Sequence, residues 1–211
     1  MKIGILGAGQ LGRMLALAGY PLGMRFRFFD PTPDSPANLL ADHLTADYAD
    51  EQALRRFVDG LDVVTYEFEN VPVLVARFLE QFVPVYPPPI ALEKSQDRLV
   101  EKTFFSDLGI PTPAFTCELD KELSSVGFPA VLKTCRMGYD GKGQFVVRSQ
   151  TDLADALAQL AGQDVILEQF VSFERELSIV CARGRDGAVV FYPLAENTHR
   201  DGILRLSIVD P

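Results

Sequence analysis

The chain has 211 residues, 47% of them hydrophobic, enough for one large domain or two small ones with a real core. Its 29 acidic and 20 basic residues give a net charge of −9, which excludes a broad nucleic-acid or anionic-membrane surface, because those need clustered excess lysine and arginine. No apolar run approaches membrane-spanning length, and the three cysteines (Cys117, Cys135 and Cys181) lack the spacing of a disulfide framework or zinc site and fit a reducing cytoplasm.

KIGIL reads as a short buried strand, and GAGQLG from Gly7 to Gly12 satisfies GxGxxG ahead of the helical pattern RMLALAGY. A second strand, MRFRFFD, ends in Asp30, eighteen residues after Gly12. Together these make the dinucleotide-binding fingerprint, so an NAD-dependent oxidoreductase is one candidate. The same glycines are also needed simply to turn a strand tightly into a helix, whose N-terminal amides suit any phosphate.

Pro31, Pro33 and Pro36 mark a loop, after which residues 37–60 read as helix or mixed structure. LDVVTYE is a buried strand with Glu67, Glu69 and Asn70 at its C-terminal end, the edge at which open parallel sheets hold ligands. A solvated strand end accounts for the same acids. VPVLVARFLEQF reads as an amphipathic helix and VPVYPPP as a last short strand, which closes a first domain over residues 1–91.

From Leu92 the chain reads as helical through EKSQDRLVEKTFFSDLG, carrying Arg98 and stopping at Gly109. PAFTCEL, FPAVLKT, QFVVR, DVILEQF and ELSIVCARG read as strands, interrupted by the helix TDLADALAQLAG. An α+β module over residues 92–211 thus follows an α/β module. Within it, KTCRMGYDGKGQ (Lys133 to Gln144) links two apolar runs as a hairpin loop. Gly138, Gly141 and Gly143 let the backbone fold closely around a ligand, while Lys133 and Lys142 add positive charge. Inward-turned amides with a lysine suit a polyphosphate, although an exposed glycine-rich turn with solvated lysines explains GYDGKG equally well. His43 and His199 are the two histidines, and a lone histidine is more often structural than functional.

GILGAGQLGRM, TYEFENVP, DRLVEKTFFSDLGIPTP, VLKTCRMGYDGKGQ, LEQFVSFERELSIV and FYPLAENTHRDGILR follow one another along essentially the whole chain. In that order they resemble the ATP-grasp enzymes, and among them the carboxylating ligases of purine biosynthesis. The resemblance implies an α/β fold, with an N-terminal Rossmann-like parallel sheet domain followed by an incomplete α+β ATP-grasp domain. It also implies ATP-dependent carboxylation of 5-aminoimidazole ribonucleotide with bicarbonate by way of carboxyphosphate, yielding the carboxyamino product, ADP and phosphate. Within the fold, a formate-dependent transformylase or a biotin carboxylase is the alternative, and a non-catalytic nucleotide-binding module is a third.

Carried over position by position, the resemblance puts Arg98 and Lys133 near the phosphates, where cations offset charge moving to the leaving oxygen. Gly138, Tyr139, Asp140, Gly141, Lys142, Gly143 and Gln144 would fold over the triphosphate. Glu168, Gln169, Phe170 and Val171 would hold adenine, and Glu176 the ribose hydroxyls. His199 would lie near the transferred phosphate and share a catalytic role with Lys133. Gln10, Arg13, Glu67 and Asn70 would face the ribonucleotide, so that GAGQLG serves no NAD. Met137 stands where the family commonly has a further glycine, which implies a stiffer loop. The family's Mg²⁺ ligands belong to a C-terminal lobe outside these residues, so no metal ligand is expected here and the segment is expected to be inactive alone. The resemblance further implies a homodimer acting on small molecules, with neither nucleic acid nor membrane as partner.

Overall fold

The computed structural model describes residues 1–138, 142–200 and 202–209, in two compact units, Met1–Phe104 and Phe105–Pro211. The first unit is built on a parallel sheet of β1 (Lys2–Leu6), β2 (Arg25–Asp30), β3 (Asp42–Thr45) and β4 (Val63–Tyr66), in the order β3-β2-β1-β4. Its central strands bury apolar side chains on both faces, since both faces are covered. Alternation sends Leu6 and Phe29 into one cluster with Leu54, Phe57 and Leu79, and Ile5 and Phe28 into another with Ala16 and Phe26. The first cluster is closed by α2 (Glu51–Val58) and α3 (Val73–Glu80). The second is closed by α1 (Gln10–Gly19), which buries Gly12, Ala16 and Gly19.

The mixed reading of residues 37–60 resolves into β3 and α2. Asp50 caps α2 by accepting from the Ala53 amide at 2.9 Å. At its other end Arg27 Nη1 donates to the carbonyls of Phe57 and Asp59, each at 2.8 Å, and of Arg56 at 3.3 Å. VPVYPPP forms no strand: Val85 makes a single bridge to Val64, and Pro89 instead opens α4 (Pro89–Ser95). Proline has no amide to give a sheet ladder but suits the first turn of a helix. The single helix expected beyond Leu92 is two, α4 and α5 (Arg98–Asp107), and Asp97 caps the second by accepting from the Leu99 amide at 3.0 Å.

In the second unit β5 (Phe115–Thr116), β6 (Ala130–Thr134), β7 (Gln144–Val147) and β8 (Val165–Gln169) form an antiparallel sheet in the order β5-β8-β6-β7. Ala130, Leu132, Val147 and Leu167 pack on Leu153 and Ala156 of α7 (Gln150–Gln159) and on Val126 of α6 (Leu119–Val126). α6 fills the stretch between PAFTCEL and FPAVLKT to which the sequence assigns no element, and PAFTCEL keeps only the two residues of β5. ELSIVCARG divides into β9 (Glu176–Ser178) and β10 (Cys181–Arg183). β10 pairs with β11 (Val189–Phe191), and β9 joins β12 (Ala195–Arg200) and β13 (Ile203–Val209) in a second antiparallel sheet. Among the described residues no helix is long and apolar enough to cross a membrane.

Candidate functional site

The chemistry of the second unit gathers on the β6–β7 hairpin and the strand beside it. β6 pairs with β7 from Ala130↔Val147 to Lys133↔Gln144, and with β8 so that Val131 lies opposite Glu168 and Lys133 opposite Ile166. Leu132 and Leu167 turn into the core, so the two-residue repeat leaves Lys133 and Glu168 on the other face. There Lys133 Nζ donates to Glu168 Oε2 at 2.9 Å, the lysine side chain 26% exposed and the carboxylate 5%. A charge-assisted bond at that depth fixes the ammonium at the base of the hairpin loop.

The loop itself needs its glycines. Gly143 has φ 68°, and a Cβ there would lie 2.7 Å from Thr134 Oγ1. Met137 also has a left-handed φ, 61°, in an exposed position. That conformation costs a non-glycine residue roughly 1–2 kcal/mol, the physical content of the missing glycine. Gly138 is buried, while Lys142 and Gln144 are exposed. Tyr139, Asp140 and Gly141 lie outside the described residues.

Residues 168–171 run off the end of β8. The Gln169 amide donates to the Ala114 carbonyl at 2.8 Å and the Phe170 amide to Pro129 at 3.2 Å, so both are committed within the chain; the Phe170 and Val171 side chains are exposed. On the second sheet His199 Nδ1 and Glu176 Oε2 are 2.7 Å apart. The structure thus joins the site residues of this unit as two pairs, Lys133 with Glu168 and Glu176 with His199. Arg98 is the first residue of α5, in the first unit.

In the first unit the glycine turn is filled from within. Gly7 (φ 97°) leaves β1, the Ala8 amide donates to Asp30 Oδ2 at 3.0 Å, and the Gly9 amide donates to Glu67 Oε1 at 2.7 Å. A Cβ on Gly7 would stand 2.7 Å from Glu67 Oε1, so this glycine makes room for the chain's own carboxylate. Burial raises the Glu67 carboxyl above its ordinary range; the Gly9 hydrogen bond pulls the other way and the Asp30 charge adds to the rise. Burial likewise raises the Tyr48 phenol, with help from the Asp30 and Glu67 charges. Gln10 and Arg13 are exposed on α1.

Asn70 lies just beyond β4, its Nδ2 at 3.5 Å from Glu69 Oε1. The segment around it is held by Gln96, a residue the sequence reading passed over. Buried at the end of α4, it donates from Nε2 to the carbonyls of Glu69 and Val71 at 3.0 and 3.1 Å. A glutamine within the polar string EKSQDR has no signature that distinguishes it from a surface residue.

This chain also matches two family models: residues 1–96 the ribonucleotide synthetase preATP-grasp domain, and residues 103–211 the ATP-grasp domain. The chain belongs to the ATP-grasp family. It is 54% identical over 213 aligned residues to an N5-carboxyaminoimidazole ribonucleotide synthase of Pseudomonas aeruginosa, covering 99% of this chain and 59% of that protein. A crystal structure of the N5-carboxyaminoimidazole ribonucleotide synthetase of Thermus thermophilus matches with a TM-score of 0.88 at 55% identity, over 97% of this chain and 57% of that one. The Aspergillus clavatus synthase in complex with ADP and 5-aminoimidazole ribonucleotide matches with a TM-score of 0.85 at 30% identity, over 98% and 56%. The ATP-grasp chain described here therefore spans a little under three-fifths of these relatives. Among its described residues no group of three or more His, Cys, Asp or Glu side chains could hold a metal ion.

Proposed function

We propose that this chain is the nucleotide- and ribonucleotide-binding part of a carbon–nitrogen ligase that carboxylates 5-aminoimidazole ribonucleotide in purine biosynthesis. In that reaction bicarbonate takes the γ-phosphoryl group of ATP, giving carboxyphosphate and ADP. The carboxyl group then passes to the exocyclic amine of the ribonucleotide, releasing phosphate. The observation that carries the reading is the Lys133–Glu168 pair at the base of a glycine-rich hairpin, a fixed ammonium where a polyphosphate would lie.

On this reading Lys133 is the catalytic cation, joined by Arg98 and by the loop from Gly138 to Gln144. Residues 168–171 take adenine, with Glu168 beside the lysine that serves the phosphates. Glu176 and His199 serve the nucleotide from the second sheet. Gln10, Arg13, Glu67 and Asn70 meet the ribonucleotide, and the Asp30 and Glu67 carboxylates on the Ala8 and Gly9 amides count against a pyrophosphate there. Magnesium, when bound, would supply counter-charge to the phosphates, and none of its ligands is assigned to this chain. The whole protein acts as a cytoplasmic homodimer in this proposal. The ADP and 5-aminoimidazole ribonucleotide bound by the Aspergillus relative support the choice of substrate within the family.

Calorimetric titration of the chain with ATP, ADP and NAD in the presence of magnesium tests the reading. Binding of both adenine nucleotides, abolished in Lys133→Ala, with no heat from NAD, is the expected result. NAD binding that survives Lys133→Ala would overturn it.

A further inference from the structure

β9 and β12 run antiparallel with Asn197 opposite Glu176, so Glu176, Ser178, Asn197 and His199 share one face of the sheet. Asn197 is the direct cross-strand neighbour of Glu176, yet its amide is committed elsewhere. Its Nδ2 donates to Ser178 Oγ at 2.9 Å, and its Oδ1 accepts from Ser207 Oγ at 2.8 Å. Glu176 is bonded instead by His199, one step along the diagonal, with Nδ1 at 2.7 Å from Oε2. The β12–β13 register shifts between Thr198 and His199 with the extra residue, Arg205, on β13, so β12 keeps the two-residue alternation that leaves His199 on the face of Asn197. Both members of the pair are 37% exposed, so the bond is made at a surface that a ligand can reach.

A carboxylate that is to accept both hydroxyls of a ribose binds best when its plane is already set, since a loose glutamate loses rotamer freedom on binding. Holding one oxygen leaves acceptor capacity on both, because an ionised carboxylate has about four lone-pair sites. We propose that His199 is a positioning residue for the nucleotide ribose, acting through Glu176 to orient the carboxylate that accepts the ribose hydroxyls, in place of the catalytic role near the transferred phosphate that the resemblance implies. This deepens the ligase reading and rests on it.

The test is calorimetric titration of the chain and its variants with ATP and 2′,3′-dideoxy-ATP. The unaltered chain binds ATP about tenfold more tightly than the dideoxy nucleotide. His199→Ala erases most of that ratio by weakening ATP alone, and Glu176→Ala does the same. Their combination is no weaker than Glu176→Ala by itself. His199→Gln, whose amide can still donate to Glu176, keeps the ratio, which guards against mistaking misfolding for lost positioning. Equal weakening of both nucleotides by His199→Ala, or additive losses in the double variant, would overturn the proposal by showing that His199 touches a part of the nucleotide other than the ribose. Binding that depends on Lys133 but ignores the ribose hydroxyls overturns only the proposal. Failure of the chain to bind either nucleotide, or binding indifferent to Lys133→Ala, overturns the underlying site assignment and the proposal with it.

Discussion

Replacing Lys133 by methionine keeps most of the side-chain volume and removes the ammonium from Glu168, a carboxylate only 5% exposed. Breaking a buried ion pair from one side costs about 3–5 kcal/mol, and the 26% exposure of the lysine places this case near 3 kcal/mol. For a unit of about 100 residues that corresponds to a fall of roughly 12 °C in Tm, at about 4 °C per kcal/mol. Scanning calorimetry reads the loss directly, with urea denaturation as a check on ΔG. The decisive comparison is Lys133→Met/Glu168→Leu, which removes both charges. Apolar replacements of whole buried pairs are often neutral, so the double variant should regain most of the loss while remaining unable to bind ATP. A single variant as stable as the parent, or a double variant that sums two independent losses, would refute the assignment of this pair as a coupled buried contact.

Arg27→Ala removes the Nη1 hydrogen bonds to the Arg56 and Phe57 carbonyls of α2 and to the Asp59 carbonyl just beyond it, and should cost about 1.5–3 kcal/mol in denaturant unfolding, with Arg27→Lys, which keeps a cationic donor nitrogen, recovering part of the loss. Because the Glu67 carboxyl is raised on folding, the native chain holds its proton to higher pH than the unfolded chain. Its contribution to stability is therefore present in acid and lost as pH rises from the ordinary glutamate range through the raised value. Glu67→Gln, which still offers an oxygen to the Gly9 amide, should be at least as stable at pH 7 and should flatten that segment of the stability–pH curve; an unchanged slope would contradict this. Gly7→Ala combines a left-handed backbone with a Cβ 2.7 Å from Glu67 Oε1, and should cost more than about 2 kcal/mol by urea denaturation. Met137→Gly relieves roughly 1–2 kcal/mol of left-handed strain but adds freedom to the unfolded chain worth about 0.5–1 kcal/mol, so its Tm should rise by no more than a few degrees.

The parallel sheet of the first unit was legible because KIGIL and RFRFFD are short strands rich in apolar residues and GAGQLG between them can be little else than a strand-to-helix turn. The occupant of that turn was not legible. Whether its amides meet a phosphate or the carboxylates of Asp30 and Glu67 depends on a contact between residues 58 positions apart, which local sequence does not encode. The hairpin around Lys133 followed from two apolar runs and three glycines, whereas its partnership with Glu168 is a matter of β6–β8 register. α6 was missed because DKELSSVG is short and adjoins an apolar stretch that reads as strand, and the prolines of VPVYPPP were read as ending a strand when they start a helix. Gln96 and the Glu176–His199 pair emerge only when distant segments are brought side by side.

A crystal structure of this chain with ADP bound tests the central claim most directly. The account predicts adenine against residues 168–171, the ribose at Glu176 and the diphosphate at Lys133 under the β6–β7 loop. A nucleotide seated instead on the Gly7–Gly12 turn, with Glu67 displaced from the Gly9 amide, would contradict it.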